Sequence, residues 1–152
     1  MKKYIKSALK AIINWFLIFL RNFKTGRYVC EQIIDGLMNQ TKVIEHSGVN
    51  LIFAVPNSLS NYRADSFSIK EPETLEWIDS MSDGSVVWDI GANVGIYSCY
   101  AAKRRNCRVF AFEPSVFNLE LLTRNIFLMN LLSALLLFHF LFLTSYHTVV
   151  SV

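Results

Sequence analysis

The sequence predicts an α/β fold with a parallel sheet, because residues 85–130 follow the order strand, glycine turn, helix, strand, helix. Val86–Ile90 is a short apolar run typical of a strand buried on both faces, and Gly91 follows it directly. Arg108–Phe112 is a second run of this kind. Since binding residues of parallel sheets lie at the carboxyl ends of the strands, we expect the functional site there.

The composition is that of a folded protein with an uneven charge distribution. The chain has 152 residues, 53% of them hydrophobic, which is enough for one domain with a core. The net charge of +3 does not indicate nucleic-acid binding. No residue after Arg124 carries a formal charge, which is unusual for a soluble surface. The first acid, Glu31, is preceded by a series of basic residues: Lys2, Lys3, Lys6, Lys10, Arg21, Lys24 and Arg27.

The cysteines and histidines predict neither a disulfide framework nor a metal site. Cys30, Cys99 and Cys107 are odd in number and form no CxxC pair, and the 3 histidines are not at ligand spacing. We therefore expect no bound metal and a reducing compartment, the cytoplasm.

Residues 2–23 combine a basic start with apolar residues at helical spacing, which predicts an amphipathic helix. Its apolar core, residues 11–20, is about half of the roughly 20 residues that a membrane-spanning helix needs. Three interpretations stay open: a helix that docks on the protein, a helix in peripheral contact with an anionic membrane, and a secretion signal.

A small amino-terminal lobe, residues 1–68, is predicted from this helix and the segments after it. Residues 42–46 and 51–56 are β-rich runs about a glycine turn, which predicts a β-hairpin. Residues 57–63 are polar and predict a loop. The sheet domain is then expected over residues 69–131.

A short helix is predicted from Pro72, because proline suits the first helical turn and acidic residues surround the positive helix end. Leu75 and Ile78 are expected to face inward. Aromatic residues near the sheet are interpreted as core rather than cofactor-stacking residues, since aromatic side chains bury large areas: Trp77, Trp88, Tyr97 and Phe112.

The turn after the first strand contains the first group of candidate binding residues. Asp89 lies near the strand end, and Gly91 and Gly95 have no Cβ that would keep a ligand away from the backbone. Asn93 tolerates left-handed backbone angles. The dinucleotide pattern G-x-G-x-x-G and the Walker pattern both fail here, so a pyrophosphate or a nucleoside triphosphate is disfavoured.

The second strand ends at Glu113-Pro114, about 20 residues after the glycine turn, a spacing at which an acid can reach a ribose. A carboxylate can accept hydrogen bonds from both ribose hydroxyls. A helix is expected from about Ser115, with Leu119, Leu122, Ile126 and Met129 on its inner face.

The segments DIGANVGIYS and AFEPSVFNLELLTRNIFLMN, together with EPETLEWID, resemble the FkbM family of S-adenosylmethionine-dependent methyltransferases over residues 66–131. The resemblance implies a Rossmann-like class I methyltransferase fold and O-methylation of a small-molecule or glycan acceptor, a sugar or secondary-metabolite hydroxyl. It implies that Asp89, Gly91, Asn93 and Gly95 line the methionine and ribose side of the cofactor. Glu113 would hold the ribose hydroxyls, and Glu71 and Thr74 would contact the methionine end.

The hydrophobic tail, residues 132–152, carries none of the family's motifs, so the sheet is expected to be incomplete. The tail is interpreted either as a truncated or frameshifted end or as a membrane anchor over residues 126–143. Residues 135–143 could form a third strand or a helix. No general base can be named, so catalytic residues stay unassigned, and an inactive copy is one expectation.

Two further expectations follow from an incomplete sheet. The first strand would keep an unpaired edge beside apolar surface, which predicts self-association. The alternative function is that of a non-catalytic fragment that binds the cofactor weakly or associates with membranes.

Overall fold

The structure, a computed structural model, describes residues 2–138. The chain divides into two compact units, residues 1–40 and residues 41 onward.

The first unit consists of two helices, α1 (Lys2–Arg21) and α2 (Lys24–Met38). The amphipathic helix predicted over residues 2–23 is thus confirmed, whereas no element was predicted for α2. Side chains of α1 from Tyr4 onward are not buried, and Trp15 is 69% exposed. None of the helices described between residues 2 and 138 combines the length and apolar character that crossing a bilayer requires.

The second unit begins with the predicted hairpin, formed by β1 (Thr41–His46) and β2 (Val49–Ala54) in antiparallel register. Ser47 and Gly48 make the turn, both with positive φ, as two-residue hairpin turns require. Leu51 and Phe53 of β2 lie in the same core cluster as residues of the sheet. The compact units of the structure meet at residue 40, whereas the sequence predicts a lobe boundary near residue 68, and the hairpin shares its core cluster with the sheet.

Three short helices follow: α3 (Ser58–Asp65), α4 (Phe67–Lys70) and α5 (Pro72–Asp79). The loop predicted over residues 57–63 is wrong. The side chain of Asn57 accepts a hydrogen bond from the backbone N–H of Ser60 at 2.9 Å and so caps α3, while Ala64 is buried. The helix predicted from Pro72 is confirmed, with Leu75 and Ile78 buried.

The remaining elements alternate: β3 (Val86–Ile90), α6 (Ile96–Arg105), β4 (Arg108–Phe112), α7 (Val116–Leu128) and β5 (Leu135–Phe138). The three strands are parallel in the order β3-β4-β5. Right-handed crossovers in one direction put α6 and α7 on the same face of the sheet. The predicted fold class, α/β with an incomplete Rossmann-like sheet, is confirmed.

The two faces of this sheet differ in burial. Val87, Val109 and Ala111 are buried on the helical face. The opposite face is exposed, with Trp88 at 66% and Ile90 at 71%, so the prediction that β3 is buried on both faces is wrong. The core interpretation of Trp88 and of Trp77, which is 58% exposed on α5, is wrong for the same reason. Tyr97 and Phe112 are half-buried.

The tail begins with a regular strand, since β5 pairs with β4 from Val109↔Leu135 to Phe112↔Phe138. The open choice between strand and helix is thereby resolved for residues 135–138. A continuous anchor helix over residues 126–143 is wrong for the described part, because α7 ends at Leu128 and β5 follows. Residues 139–152 of the tail lie outside the described residues.

Candidate functional site

The turn between β3 and α6 is held against the end of β4 by backbone hydrogen bonds. The N–H groups of Gly91 and Ala92 donate to the carbonyl of Phe112 at 2.8 and 3.0 Å. Gly91, Asn93 and Gly95 have φ values of 86°, 55° and 74°, so the left-handed conformation predicted for Asn93 is confirmed. The turn therefore alternates conformations that only glycine and asparagine adopt readily.

Glu113 follows β4 and joins the turn to the start of α7. Its Oε2 accepts a hydrogen bond from the N–H of Asn93 at 2.7 Å. Its Oε1 accepts from the N–H of Ser115 at 2.7 Å and from Nδ2 of Asn118 at 3.3 Å. The side chain is 4% exposed. Glu113 thus fixes the backbone of the glycine turn and the first turn of the next helix at once.

The two glycines of the turn have different surroundings. A Cβ at Gly95 would lie 1.9 Å from Cδ1 of Leu122, a fully buried residue of α7. A Cβ at Gly91 would meet nothing within 4 Å. Gly91 therefore has open space beside its backbone, whereas Gly95 allows two helices to approach each other.

Asn125 of α7 is a second buried polar residue that supports the turn. Its Oδ1 accepts from the N–H of Ala54 at 2.7 Å, and its Nδ2 donates to the carbonyl of Val94 at 2.8 Å. The residue is 1% exposed. It links β2 to the glycine turn, a role that we did not predict, although an asparagine among the apolar residues of α7 is a signal for it.

A cavity of about 330 Å³ lies beside the turn, at the lower end of the range for ligand pockets. Most of the predicted site residues come together along its wall: Glu71, Thr74, Asp89, Gly91 and Asn93. Gly95 and Glu113 do not line it and act behind the turn.

Two side chains of this wall, Asp89 and Tyr97, have raised pKa values and are weaker acids than usual. Burial raises the pKa of the Asp89 carboxyl, and Glu113 and Glu71 raise it further, while the hydrogen bond from Ser98 to Oδ2 at 2.5 Å opposes the shift. Burial, with the charge of Glu71 and a hydrogen bond to it, raises the pKa of Tyr97 to about 12. Tyr97 therefore stays protonated and able to donate a hydrogen bond at neutral pH.

One polar atom of the wall is buried without a partner among the described residues, Oδ1 of Asn93. A buried acceptor of this kind costs stability unless a donor satisfies it. It marks a position at which a ligand's hydroxyl or ammonium group would gain a hydrogen bond.

The cavity wall also contains residues that were not predicted. Arg63 of α3 and Lys70 of α4 contribute positive charge. Both belong to helices that the sequence pattern did not predict, so no sequence signal placed them near the glycine turn. Within residues 2–138, no group of three or more histidine, cysteine, aspartate or glutamate side chains could hold a metal ion.

Comparison with known proteins gives a distant relative. No protein-family model matches the chain. Hexuronic acid methyltransferase AglP of Haloferax volcanii is 27% identical over 90 residues, which are 59% of this chain and 37% of that protein.

Solved structures resemble the chain in part. TYW2 of P. horikoshii in complex with MeSAdo is 18% identical with a TM-score of 0.48, and the match covers 65% of this chain and 35% of that one. A SAM-dependent methyltransferase of Geobacter sulfurreducens in complex with S-adenosyl-L-homocysteine is 17% identical with a TM-score of 0.41, covering 50% and 36%. The chain thus spans 35% to 37% of the length of these three proteins.

Proposed function

We propose that the chain contains the amino-terminal part of an S-adenosylmethionine site and serves a methyltransferase of the FkbM type with a class I methyltransferase fold. The observation that carries the proposal is the glycine turn after β3, held by Glu113 and open to a cavity that Asp89 and Glu71 line. The similarity to AglP, a methyltransferase, supports it.

The residues present fit this cofactor in two respects. Oδ1 of Asn93 is buried and has no partner among the described residues, so a donor of the cofactor would satisfy it. A ligand can approach the backbone at Gly91, where a Cβ would meet nothing within 4 Å.

Each predicted site residue then has a role that its chemistry allows. Asp89 and Glu71 would attract the positive charges of the methionine end, and Thr74 would offer it a hydroxyl. Glu113, which is 4% exposed and does not line the cavity, would act on the ribose side indirectly, by fixing the N–H of Asn93 and with it the turn. Gly95 would contribute indirectly, by letting α7 support the turn.

When bound, S-adenosylmethionine supplies a methyl group activated by its sulfonium charge. The chain's own part is orientation, because the turn is fixed before any ligand arrives and little freedom remains to be lost on binding. The hydroxyl of Tyr97 donates a hydrogen bond to Glu71 and so helps to hold that carboxylate in the wall.

The acceptor that we propose is a hydroxyl group of a sugar or a secondary metabolite. Two observations support this acceptor: the resemblance to the FkbM family, and the similarity to AglP, the hexuronic acid methyltransferase of Haloferax volcanii.

Fluorescence titration with S-adenosylhomocysteine tests the proposal, because Trp77 and Trp88 line the cavity and report its occupation. We expect a saturable change for the wild type and an affinity at least about tenfold lower for Asp89→Ala, which is the loss of roughly one charge-assisted hydrogen bond. The control is Asp83→Ala, which removes a carboxylate that is 66% exposed and does not line the cavity. A wild type without a saturable signal, or equal affinities for wild type and Asp89→Ala, would contradict the proposal.

A second proposal concerns the first unit, which we infer to bind anionic membrane surfaces. The specific observation is α1, whose apolar side chains are exposed, with Ile12 at 64% and Ile18 at 62%, next to lysines at its amino end. Apolar contact and attraction to anionic headgroups together are the requirements for an interfacial helix.

Vesicle flotation tests this second proposal. We expect the protein to float with phosphatidylserine vesicles at low salt and to stay at the bottom with phosphatidylcholine alone. Ile12→Asp should abolish flotation, while Tyr62→Asp, which changes an exposed aromatic residue of α3, should not. Wild-type protein that stays at the bottom with both vesicles excludes the proposal.

A further inference from the structure

We propose that Arg63 binds the carboxylate at the methionine end of the cofactor. The inference rests on the proposed function and adds a residue that neither the glycine turn nor the motifs resembling the FkbM family contain.

The cavity wall carries both signs of charge. Asp89 and Glu71 are its acids, and Arg63 and Lys70 are its bases. The methionine end of S-adenosylmethionine is itself zwitterionic, with an ammonium group and a carboxylate beside the sulfonium. A site with acids alone would repel that carboxylate, so a nearby cation is needed for affinity.

Of the two bases, Arg63 is the one available for a ligand. Nζ of Lys70 lies 3.5 Å from Oε1 of Glu71 and is already paired. Arg63 forms no ion pair within 4.0 Å with any residue in the described range 2–138. A guanidinium also presents two parallel N–H groups that match both oxygens of a carboxylate, which an ammonium group cannot do.

The backbone of Arg63 is fixed while its half-buried side chain faces the cavity. Arg63 lies in the last turn of α3, a helix capped by Asn57 and anchored by the buried residues Ser60 and Ala64. Its carbonyl accepts from Oγ of Ser66 at 3.4 Å. A cation on such a fixed helix loses little freedom when it binds a ligand.

A carboxylate on the acceptor would suit Arg63 equally well in chemical terms. We assign the cofactor carboxylate because Glu71, Thr74 and Asp89, the residues proposed for the methionine end, line the same cavity.

Calorimetric titrations with S-adenosylhomocysteine and with 5′-methylthioadenosine test the assignment, because the second ligand lacks the amino and carboxylate groups. We expect Arg63→Ala to weaken S-adenosylhomocysteine binding about tenfold or more and to leave methylthioadenosine binding unchanged. Arg63→Lys should recover part of the loss, since it keeps the charge. Arg124→Ala, which removes a positive charge from α7 outside the cavity, should change neither affinity. Thermal midpoints of all variants confirm that each is folded.

The outcomes distinguish failure of the proposed cofactor site from failure of the role that we assign to Arg63. If the wild type binds neither ligand, the proposed function fails. If the wild type binds both and Arg63→Ala binds both equally well, the role of Arg63 is wrong while the cofactor site stands. A third titration uses glucuronate to represent an acceptor that carries a carboxylate. If Arg63→Ala binds S-adenosylhomocysteine normally but loses affinity for glucuronate, Arg63 binds the carboxylate of the acceptor and our assignment is wrong.

Discussion

The two faces of the three-stranded sheet both carry apolar side chains, but those of one face are buried and those of the other are exposed. On the helical face, Val109 and Ala111 are at most 1% exposed. On the other face, Trp88 and Ile90 of β3 are more than half exposed. The strands alternate between the faces, so adjacent residues of β3 experience both environments.

This difference explains where the candidate site forms. The helical face holds α7 close enough for Leu122 to contact the turn at Gly95 and for Asn125 to bind the carbonyl of Val94. Such contacts can fix a turn before a ligand binds. The opposite face presents exposed aromatic area that suits association, and its residues Trp88 and Ile90 also line the cavity.

The largest effect is expected from Gly95→Ala on the helical face. The left-handed backbone costs roughly 1–2 kcal/mol for alanine, and the clash with Leu122 adds roughly 1–3 kcal/mol of overpacking. Denaturant unfolding should show a loss of about 2–5 kcal/mol. Gly48→Ala is the control, since its φ of 75° is equivalent but a Cβ there meets nothing within 4 Å. Equal losses for the two variants would mean that α7 does not support the turn.

Asn125→Leu should have the next largest effect, because it leaves the N–H of Ala54 and the carbonyl of Val94 buried without partners. Each unsatisfied group costs roughly 1–2 kcal/mol, so the two together should lower the free energy of unfolding by about 2–4 kcal/mol. S-adenosylhomocysteine affinity should fall as well, since Val94 lines the cavity. Asn118→Ala removes a weaker hydrogen bond to Glu113, and a loss as large as that of Asn125→Leu would contradict this ranking.

Asp89 should make stability depend on pH in a direction opposite to that of a salt-bridged acid. Its pKa is raised above 3.8, so the folded state binds more protons than the unfolded state between the two pKa values. Stability is therefore highest below this window and falls as pH rises through the raised pKa. Asp89→Asn should melt above the wild type at neutral pH and show a flatter profile as the pH rises above 3.8. If Asp89→Asn melts below the wild type at neutral pH, the claim that the buried charge of Asp89 destabilises the folded state is wrong.

The smallest effect on monomer stability is expected from Trp88→Thr on the exposed face. Trp88 pairs across the strands with Phe110, and such pairs contribute less than about 1 kcal/mol. Self-association, which we propose for the unpaired edge of β3 and the apolar surface beside it, should instead fall clearly in sedimentation velocity. Trp77→Thr, which removes an exposed tryptophan from α5, is the control for general hydrophobicity. A wild type that is monomeric at high concentration would remove the proposal.

The sequence predicts the fold best where local pattern and tertiary environment agree. β3 and β4 form within the predicted bounds because each is an apolar run closed by an acid and a glycine or proline. α3 was predicted as a loop because its sequence has no apolar period, and its stability comes from the Asn57 cap and the burial of Ser60 and Ala64. The exposure of Trp88 was missed because apolar composition predicts burial without identifying what covers each face.

For the candidate site as well, the sequence predicts the residues of local motifs and misses those that tertiary packing brings in. Motif spacing brought Asp89, Gly91 and Asn93 to one cavity, since the turn that carries them is a local structure. Arg63 comes from a helix some 26 positions earlier (89 minus 63), and only tertiary packing brings it to that cavity. The role of Gly95 depends on Leu122, a contact between two helices that spacing alone cannot indicate.

The central claim, that the glycine turn binds a cofactor rather than merely reversing the chain, is tested most directly by two matched substitutions. Gly91 and Gly84 have φ values of 86° and 79°, and a Cβ at either meets nothing within 4 Å. Only Gly91 lines the cavity. Calorimetric titration with S-adenosylhomocysteine should show wild-type affinity for Gly84→Ala and a loss of at least about tenfold for Gly91→Ala, with similar melting temperatures for both. Equal affinities for the two variants would contradict the claim.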